Sequence, residues 1–322
     1  MKNFNLFNPR QSISTILLIM SFFIFGASYL PFIGSIFLLF LPLLIFFYSA
    51  TAGLGKTLGA FFLPLLLSIL ISYVLQIQAL HPLIFTLGII GLLMSVIALK
   101  NSSVEKTVTY PALLLIGAIC AYFIYAGWKI SVHPWLIVQR FITGAIEQNI
   151  NLYSQLPLDK ESIDLIKNNK QSIASFFTSI FPALAVTGSV IIIWINVLIG
   201  RIIIRKAGIY LPKLDNLSHW KAPDFAIWIF LAAGGMLLLP AERFSFTGLN
   251  LLIVTCFVYL LQGLAVISFI FQNKNVPIFF RFLIYFLIAV EQFLMIPIIA
   301  VGLFDIWVDF RKFFSPDRRA AA

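Results

Sequence analysis

Seven side chains stand out because they are polar where the surrounding sequence is apolar: Asn196, Asn250, Gln262, Glu291, Gln292, Asp305 and Asp309. In lipid such groups must find partners inside the protein, and an ionisable one marks a place where an ion, a proton or a solute is handled. Glu291 is the most informative, with apolar sequence about three turns deep on both sides. It could bind a cation or proton, or pair with Arg281 across a cavity. The blander readings are an internal ion pair, or a loop-edge position if Pro297 breaks the helix. Asn250 and Gln262 lie twelve residues apart in one apolar run. That spacing lets them line one cavity, although interhelical hydrogen bonds would explain them equally well. Asn250, Gln262 and Glu291 are therefore the candidate ligand-binding residues, and Asn196, Asp305 and Asp309 the candidate structural polar ones.

Other chemistry is thinly represented. Nothing in the sequence resembles a nucleophile–base pair, a paired-carboxylate site or a zinc signature, so the expectation is a non-enzymatic protein without cofactor or metal. Cys120 and Cys256 sit inside apolar runs and read as small buried hydrophobes. His81 and His133 each stand beside a Pro at a span boundary and read as interfacial. Ala50-Thr51-Ala52-Gly53-Leu54-Gly55-Lys56-Thr57 mimics a phosphate-binding loop, but that loop needs a preceding strand, and here it joins two apolar runs. Gly55 and Gly59 read better as a small-residue packing face that is open to a partner helix, with Lys56 anchored at the interface.

The elements that must carry these residues are set by where charge is missing. No charged side chain occurs between Arg10 and Lys56, or between Lys56 and Lys100. Similar gaps run from Lys106 to Lys129, Lys170 to Arg201, Asp224 to Glu242 and Arg243 to Lys274. Crossing a bilayer takes roughly 20 apolar helical residues, and a charge at its centre costs several kcal/mol. With 61% hydrophobic and 11% charged residues, no soluble fold fits. Continuous apolar runs exclude a barrel, leaving an all-α, polytopic transmembrane bundle of about 8–10 spans. Candidate spans are 12–30, 33–50, 57–76, 82–99, 109–128, 173–200, 225–241, 249–271 and 278–308, the first two joined through Pro31 and Gly34. The last is too long for one straight crossing, and Pro297 is the expected break. The net charge of +10 points to lipid headgroups, not to nucleic acid.

Lys and Arg in short loops set the orientation. Lys2 and Arg10 put the N-terminus in the cytoplasm, with Lys56, the 100–106 loop and the Arg201–Lys221 loop on the same side. Residues 129–171 then fall outside, where Lys160 and Lys167 are offset by Asp159, Glu161 and Asp164. Within them Trp135, Val138, Phe141, Ile142, Ala145 and Ile146 recur at helical spacing, with Arg140, Glu147, Gln148 and Asn151 on other faces. The pattern suits an amphipathic helix on the membrane surface, or a lid over an external cavity. A cytoplasmic basic C-terminus requires 278–308 to be two short crossings or re-entrant, or one earlier segment not to span. The organisation expected is a five-span half (1–128), an extracytoplasmic amphipathic segment (129–171), a second membrane half (172–314) and a basic tail (315–322). The tail's closing Ala320-Ala321-Ala322 reads as a cloning remnant.

Small residues at Gly88/Gly91, Gly117/Ala121 and Ala232–Gly235 let helices approach closely. Trp128, Trp135, Trp220 and Trp228 fall where interfacial aromatic belts belong.

From Phe181 onward the landmarks follow a recognisable order: Phe181-Pro182-Ala183-Leu184, Asn196 and a basic run, then Trp220-Lys221-Ala222-Pro223-Asp224. Gly248-Leu249-Asn250, Leu261-Gln262-Gly263-Leu264, Gly302-Leu303-Phe304-Asp305 and Asp309-Phe310-Arg311-Lys312 complete it. Over residues 181–312 this resembles the YybS-like family of bacterial predicted membrane proteins, a domain-of-unknown-function family that implies a bacterial cytoplasmic membrane and no established activity. Pro42-Leu43-Leu44 with the Gly55–Gly59 turn is more loosely similar to the S-components of energy-coupling-factor transporters. Those are six-helix bundles that capture a small metabolite and dock on a shared ATPase module. This chain is longer and carries the added external segment.

The resulting expectation is a transport-type protein that binds a small solute between its two membrane halves. The alternative is a membrane scaffold contacting other subunits through Gly55, Gly59, Arg311 and Lys312. An intramembrane enzyme on a lipid-linked substrate, using Asp305 or Glu291, is the weaker third reading.

Overall fold

Lipid offers the backbone no hydrogen-bond partners, so a chain this apolar must satisfy its amides within helices. The computed structural model describes residues 12–30, 33–155, 160–215 and 217–314. Lys2, Arg10, Pro31, Asp159 and the tail 315–322 lie outside the described residues. In order, the helices are α1 (Ile13–Tyr29), α2 (Gly34–Ala52), α3 (Leu54–Leu75), α4 (His81–Leu99) and α5 (Val104–Lys129). Next come α6 (Pro134–Ser154), α7 (Lys160–Asn168), α8 (Lys170–Lys206), α9 (Pro212–Asp215) and α10 (Ala226–Leu237). The last are α11 (Glu242–Asn273), α12 (Ile278–Val290), α13 (Met295–Val308) and α14 (Phe310–Phe314). No strand occurs among the described residues, and the fold is an all-α polytopic membrane bundle.

Helices α2, α3, α4, α5, α8 and α11 are each long and apolar enough to cross a membrane, and the bent pair α12–α13 adds a seventh if it is one span. Helices α1 and α10 are apolar but have only 17 and 12 residues. They reach about 26 and 18 Å at 1.5 Å per residue, short of a hydrocarbon core of roughly 30 Å. Six or seven spans by length fall short of the expected 8–10, and even its lower end is reached only by counting these short helices among the described residues.

The chain divides into two compact units, residues 1–125 with 188–215, and residues 126–187 with 216–322. The first half of α8 thus belongs to the second unit and its second half to the first.

In the first unit, α1 packs on α2 and α3, and α2 on α4. Small residues permit close approach to α2: a Cβ on Gly91 of α4 would stand 2.7 Å from the Pro42 carbonyl oxygen, and one on Gly200 of α8 2.7 Å from the Phe46 ring. The α2–α3 corner turns on Gly53 at φ 93°, a backbone region that favours glycine. Thr57, buried, returns its hydroxyl to the Gly53 carbonyl. The phosphate-loop look-alike is therefore a helix–helix corner. At the other end of α3, His81 Nε2 meets the Ser68 hydroxyl at 3.1 Å, and Tyr29 donates to the Ser68 carbonyl at 2.8 Å, tying α1, α3 and α4 together.

The second unit is organised along α11, which is 32 residues or about 48 Å long. Helices α10 and α13 pack on it. The α11–α13 contact is backbone against backbone: a Cβ on Gly302 would lie 2.0 Å from the Tyr259 carbonyl oxygen, and one on Gly263 2.1 Å from that of Ile298. Gln262 bonds to Asp305, and further along Asn273 bonds to the Phe314 carbonyl. Both helices therefore run in the same direction, and α12 must carry the chain back between them. The return is achieved by a 104° bend between α12 and α13. The break falls at Glu291–Leu294, not at Pro297. Pro297 lies in the first turn of α13, where its missing N–H leaves no helical bond unmade.

Cys120 is exposed and Cys256 half-buried, both free thiols. The expectation that both are buried fails for Cys120, which lies on an outward face of α5.

Candidate functional site

The two ends of α11 differ in character. Near its start, Phe246 packs edge-on against Trp135 of α6, with ring centroids 5.9 Å apart. Alongside, α6 and the first turns of α8 line an open cleft of ≈ 350 Å³. From α6 come Gln139, Arg140, Thr143 and Glu147, at i, i+1, i+4 and i+8, which one helical face can present. From α8 come Gln171, Ser175 and Thr178, at i, i+4 and i+7. Thr178 spends its hydroxyl on the Ala174 carbonyl. Glu147 is ion-paired with Lys170, an α6–α8 tie at the edge of the cleft. Arg140 is exposed and has no carboxylate partner among the described residues.

Helix α6 begins at Pro134, and His133 caps it by accepting the Trp135 N–H at Nδ1, 3.2 Å away. Val138, Ile142 and Ile150 are buried along its inner face, as its apolar periodicity predicts.

At the far end of α11 a buried polar network joins four segments. Asp305 is 0% exposed, Gln262 1% and Arg311 6%. The Asp305 Oδ2 accepts from Gln262 Nε2 at 3.0 Å and from Arg311 Nη1 at 3.1 Å, while Oδ1 accepts the Phe310 N–H at 3.0 Å. Gln262 Oε1 accepts the Ala222 N–H at 3.1 Å. Arg311 donates onward to the carbonyls of Ser218, at 3.1 Å, and Trp220, at 2.7 Å. The network straps the 217–222 segment to α11 and α13. Burial lowers the Arg311 pKa, opposed by the Asp305 and Asp309 carboxylates, and the guanidinium stays charged.

Just outside, Asp309 closes α13 at φ 47°. Its two carboxylate oxygens face Lys221 and Lys312, each at 3.3 Å. Burial acts to raise the Asp309 pKa, but the hydrogen bonds and charges of Lys312 and Lys221 outweigh it and hold the carboxyl below its ordinary value.

The three candidate ligand residues stand in three different settings. Asn250 Oδ1 accepts the Ala183 N–H at 2.8 Å, and its Nδ2 donates to the Ser179 carbonyl at 2.8 Å. Those two backbone groups are the i, i+4 pair that an uninterrupted helix would bond to each other. The Asn250 amide thus bridges α8 beside Pro182, where a side chain inserted in the ladder is a recognised cause of bending. Gln262 belongs to the buried network. Glu291 is exposed at the α12–α13 bend, while Arg281 donates to the Val276 carbonyl at 2.7 Å.

Asn196, 0% exposed, donates to the Leu39 carbonyl at 3.0 Å and to that of Ile192 at 2.7 Å. Of the candidate partner contacts, Gly55 and Gly59 present an open face: a Cβ added at either would meet no atom within 4 Å. The Lys312 side chain is 75% exposed, whereas Arg311 is directed inward to its own chain.

The cleft depends on Gln171, Ser175 and Thr178, which sequence reasoning does not single out. Their i, i+4, i+7 spacing is a usable signal, obscured because Ser175 and Thr178 fall in a run that reads as a span while Gln171 falls just before it, at the end of the external segment.

The Asp305–Arg311 network is built largely from the ordered landmarks of the second half of the sequence. No curated protein and no solved structure matches the chain. A family model described as "Predicted membrane protein (DUF2232)" matches residues 16–306, and the chain therefore belongs to that family of predicted membrane proteins.

Proposed function

We propose that this protein is a non-enzymatic, transport-type membrane protein that captures a small polar solute in the α6–α8 cleft. The observation that carries the reading is the cleft itself. Its volume of ≈ 350 Å³ falls in the range of small-molecule sites, and amide, hydroxyl and charged groups converge on it from two helices. Asn250 and Gln262 serve on this reading as the frame, since their amides are engaged with backbone and with Asp305. Glu291 is left as the polar cap of the α12–α13 bend.

Orientation follows from charge. Lys221, Lys274, Arg311 and Lys312 gather at one end of α11, and the positive-inside rule assigns that end to the cytoplasm. The α12–α13 return brings Phe314 to the same end of α11 as the 217–222 segment. The cleft then faces the outside of a bacterial cytoplasmic membrane, while Lys2 and Arg10 in the sequence separately assign the N-terminus to the cytoplasm. Capture by such a site agrees with the S-component likeness, and a YybS-like identity is compatible with it.

The test is native mass spectrometry of gently extracted protein, comparing wild type with Ser175→Leu and Thr143→Leu, which fill the cleft. Retention of a small molecule by wild type but not by the filled variants supports the reading. Retention unaffected by filling, or absent from wild type, removes it.

A second reading, a scaffold that docks other membrane subunits, is favoured by the open Gly55–Gly59 face and the exposed Lys312. It predicts that Gly55→Leu and Gly59→Leu release a co-purifying membrane protein without disturbing the fold.

A further inference from the structure

We propose that the α6–α8 cleft is an oxyanion site, in which Arg140 grips the carboxylate or phosphate group of the bound molecule; this rests on the solute-capture reading of the same cleft. The argument is one of charge accounting. Among the described residues, Arg140 and Glu147 are the charged side chains in its wall, and Lys170 stands beside it. Glu147 and Lys170 neutralise each other in a direct ion pair. Arg140 remains as the one wall charge without a partner among the described residues, one face-turn away from Thr143 and Gly144.

A guanidinium offers a planar fork of donors that matches a carboxylate or phosphate in a bidentate way. Around it stand groups that complete the coordination of an oxyanion. Gln139 and Gln171 carry amide donors, and Thr143 and Ser175 carry hydroxyls. No hydrogen bond to their side chains is formed within the described residues. A cation would meet an uncompensated guanidinium in this cleft, and a neutral solute would leave that charge unused. An anion is the one class that both fits and is held.

The same chemistry can arrive from two sources, a dissolved oxyanion or the headgroup of an anionic lipid beside α6. The experiment separates them. Wild type, Arg140→Gln and Arg140→Lys are reconstituted in nanodiscs of phosphatidylcholine alone, and binding of radiolabelled phosphate and succinate is measured by equilibrium dialysis. In parallel, the proteins are extracted from vesicles containing phosphatidylglycerol, and retained lipid is counted by native mass spectrometry. Arg140→Gln is expected to weaken retention of the anion by at least about tenfold, with Arg140→Lys intermediate because the ammonium keeps the charge but loses the fork. Phosphate or succinate binding that depends on Arg140 identifies a dissolved oxyanion. Phosphatidylglycerol retention that depends on Arg140, without binding of either dissolved anion, identifies a headgroup. Binding that is equal in wild type and Arg140→Gln, or absent for all three probes, overturns the proposal. If the Leu-filled variants still lose a neutral molecule retained by wild type, solute capture stands and the oxyanion assignment alone falls. The unfolding temperature of each variant, expected to be unchanged, excludes a folding defect as the cause.

Discussion

Arg311 Nη1 lies 3.1 Å from Asp305 Oδ2, with both side chains buried, and the same guanidinium reaches two backbone carbonyls some 90 residues earlier in the chain. A buried ion pair is weak evidence of net stabilisation, because desolvating both ions offsets much of their attraction. Its consequence appears when one partner is removed. Arg311→Met should cost about 3–5 kcal/mol by stranding the Asp305 carboxylate. The double variant Asp305→Asn with Arg311→Met should cost less than the sum of the singles. Thermal unfolding in detergent measures both, and additive losses would show that the two side chains are not coupled.

Asn250 makes a comparable prediction for α8. Asn250→Ala should cost about 1–3 kcal/mol by leaving the Ala183 N–H and Ser179 carbonyl without their bridge. Pro182→Ala in the same chain should recover part of that loss, because the helix can then close its own ladder. If Asn250 were a ligand residue instead, its replacement would abolish solute retention while leaving the unfolding temperature unchanged.

How far the sequence revealed these arrangements depends on the kind of interaction. The spans were legible because charge in lipid is costly at every position, so gaps between Lys and Arg mark them directly. The return through α12 was legible only as a conflict of topology, which a Pro297 break left unlocated. What decides the bend is the parallel contact of α11 with α13, and Gly263 and Gly302 form it from positions 39 residues apart. Similarly, Asn250 and Gln262 are polar on one helix for two unrelated reasons, a proline-interrupted neighbour and a buried carboxylate. Periodicity places both residues but says nothing of which helix lies opposite. The halves of α8 belong to different units for the same reason: a 37-residue apolar helix carries no mark of where its neighbours change.

Asp309 ties stability to pH. Its folded pKa lies below the ordinary value of 3.8, so its contribution is complete above that value and is lost as pH falls through the lower, folded one. Lys221 and Lys312 are half or more exposed, which limits the effect to below about 1 kcal/mol. Asp309→Asn should therefore lower the unfolding temperature slightly at pH 7, and the difference from wild type should shrink towards pH 3 and in 1 M salt as screening grows (a Debye length of about 3 Å). An undiminished difference at acid pH would mean that the side chain acts through the αL cap geometry and not through its charge.

The return formed by α12 and α13 fixes a relation between ends that labelling can read. Asn273, Phe314 and Ser218 share one end of α11 through direct hydrogen bonds to Phe314, Asn273 and Gln272 respectively, so Lys221 and Lys312 must lie on the same side of the membrane. Trp135 and Phe246 mark the opposite end, where Gly144 lines the cleft. In a background with Cys120→Ala and Cys256→Ala, Lys221→Cys and Lys312→Cys should resist a membrane-impermeant maleimide in intact cells and react after permeabilisation. Gly144→Cys should react in intact cells. The opposite pattern for all three would keep the fold and invert the orientation. Reaction of Lys312→Cys but not Lys221→Cys from outside would instead require α12 and α13 to cross as one span, which the contact between Asn273 and Phe314 forbids.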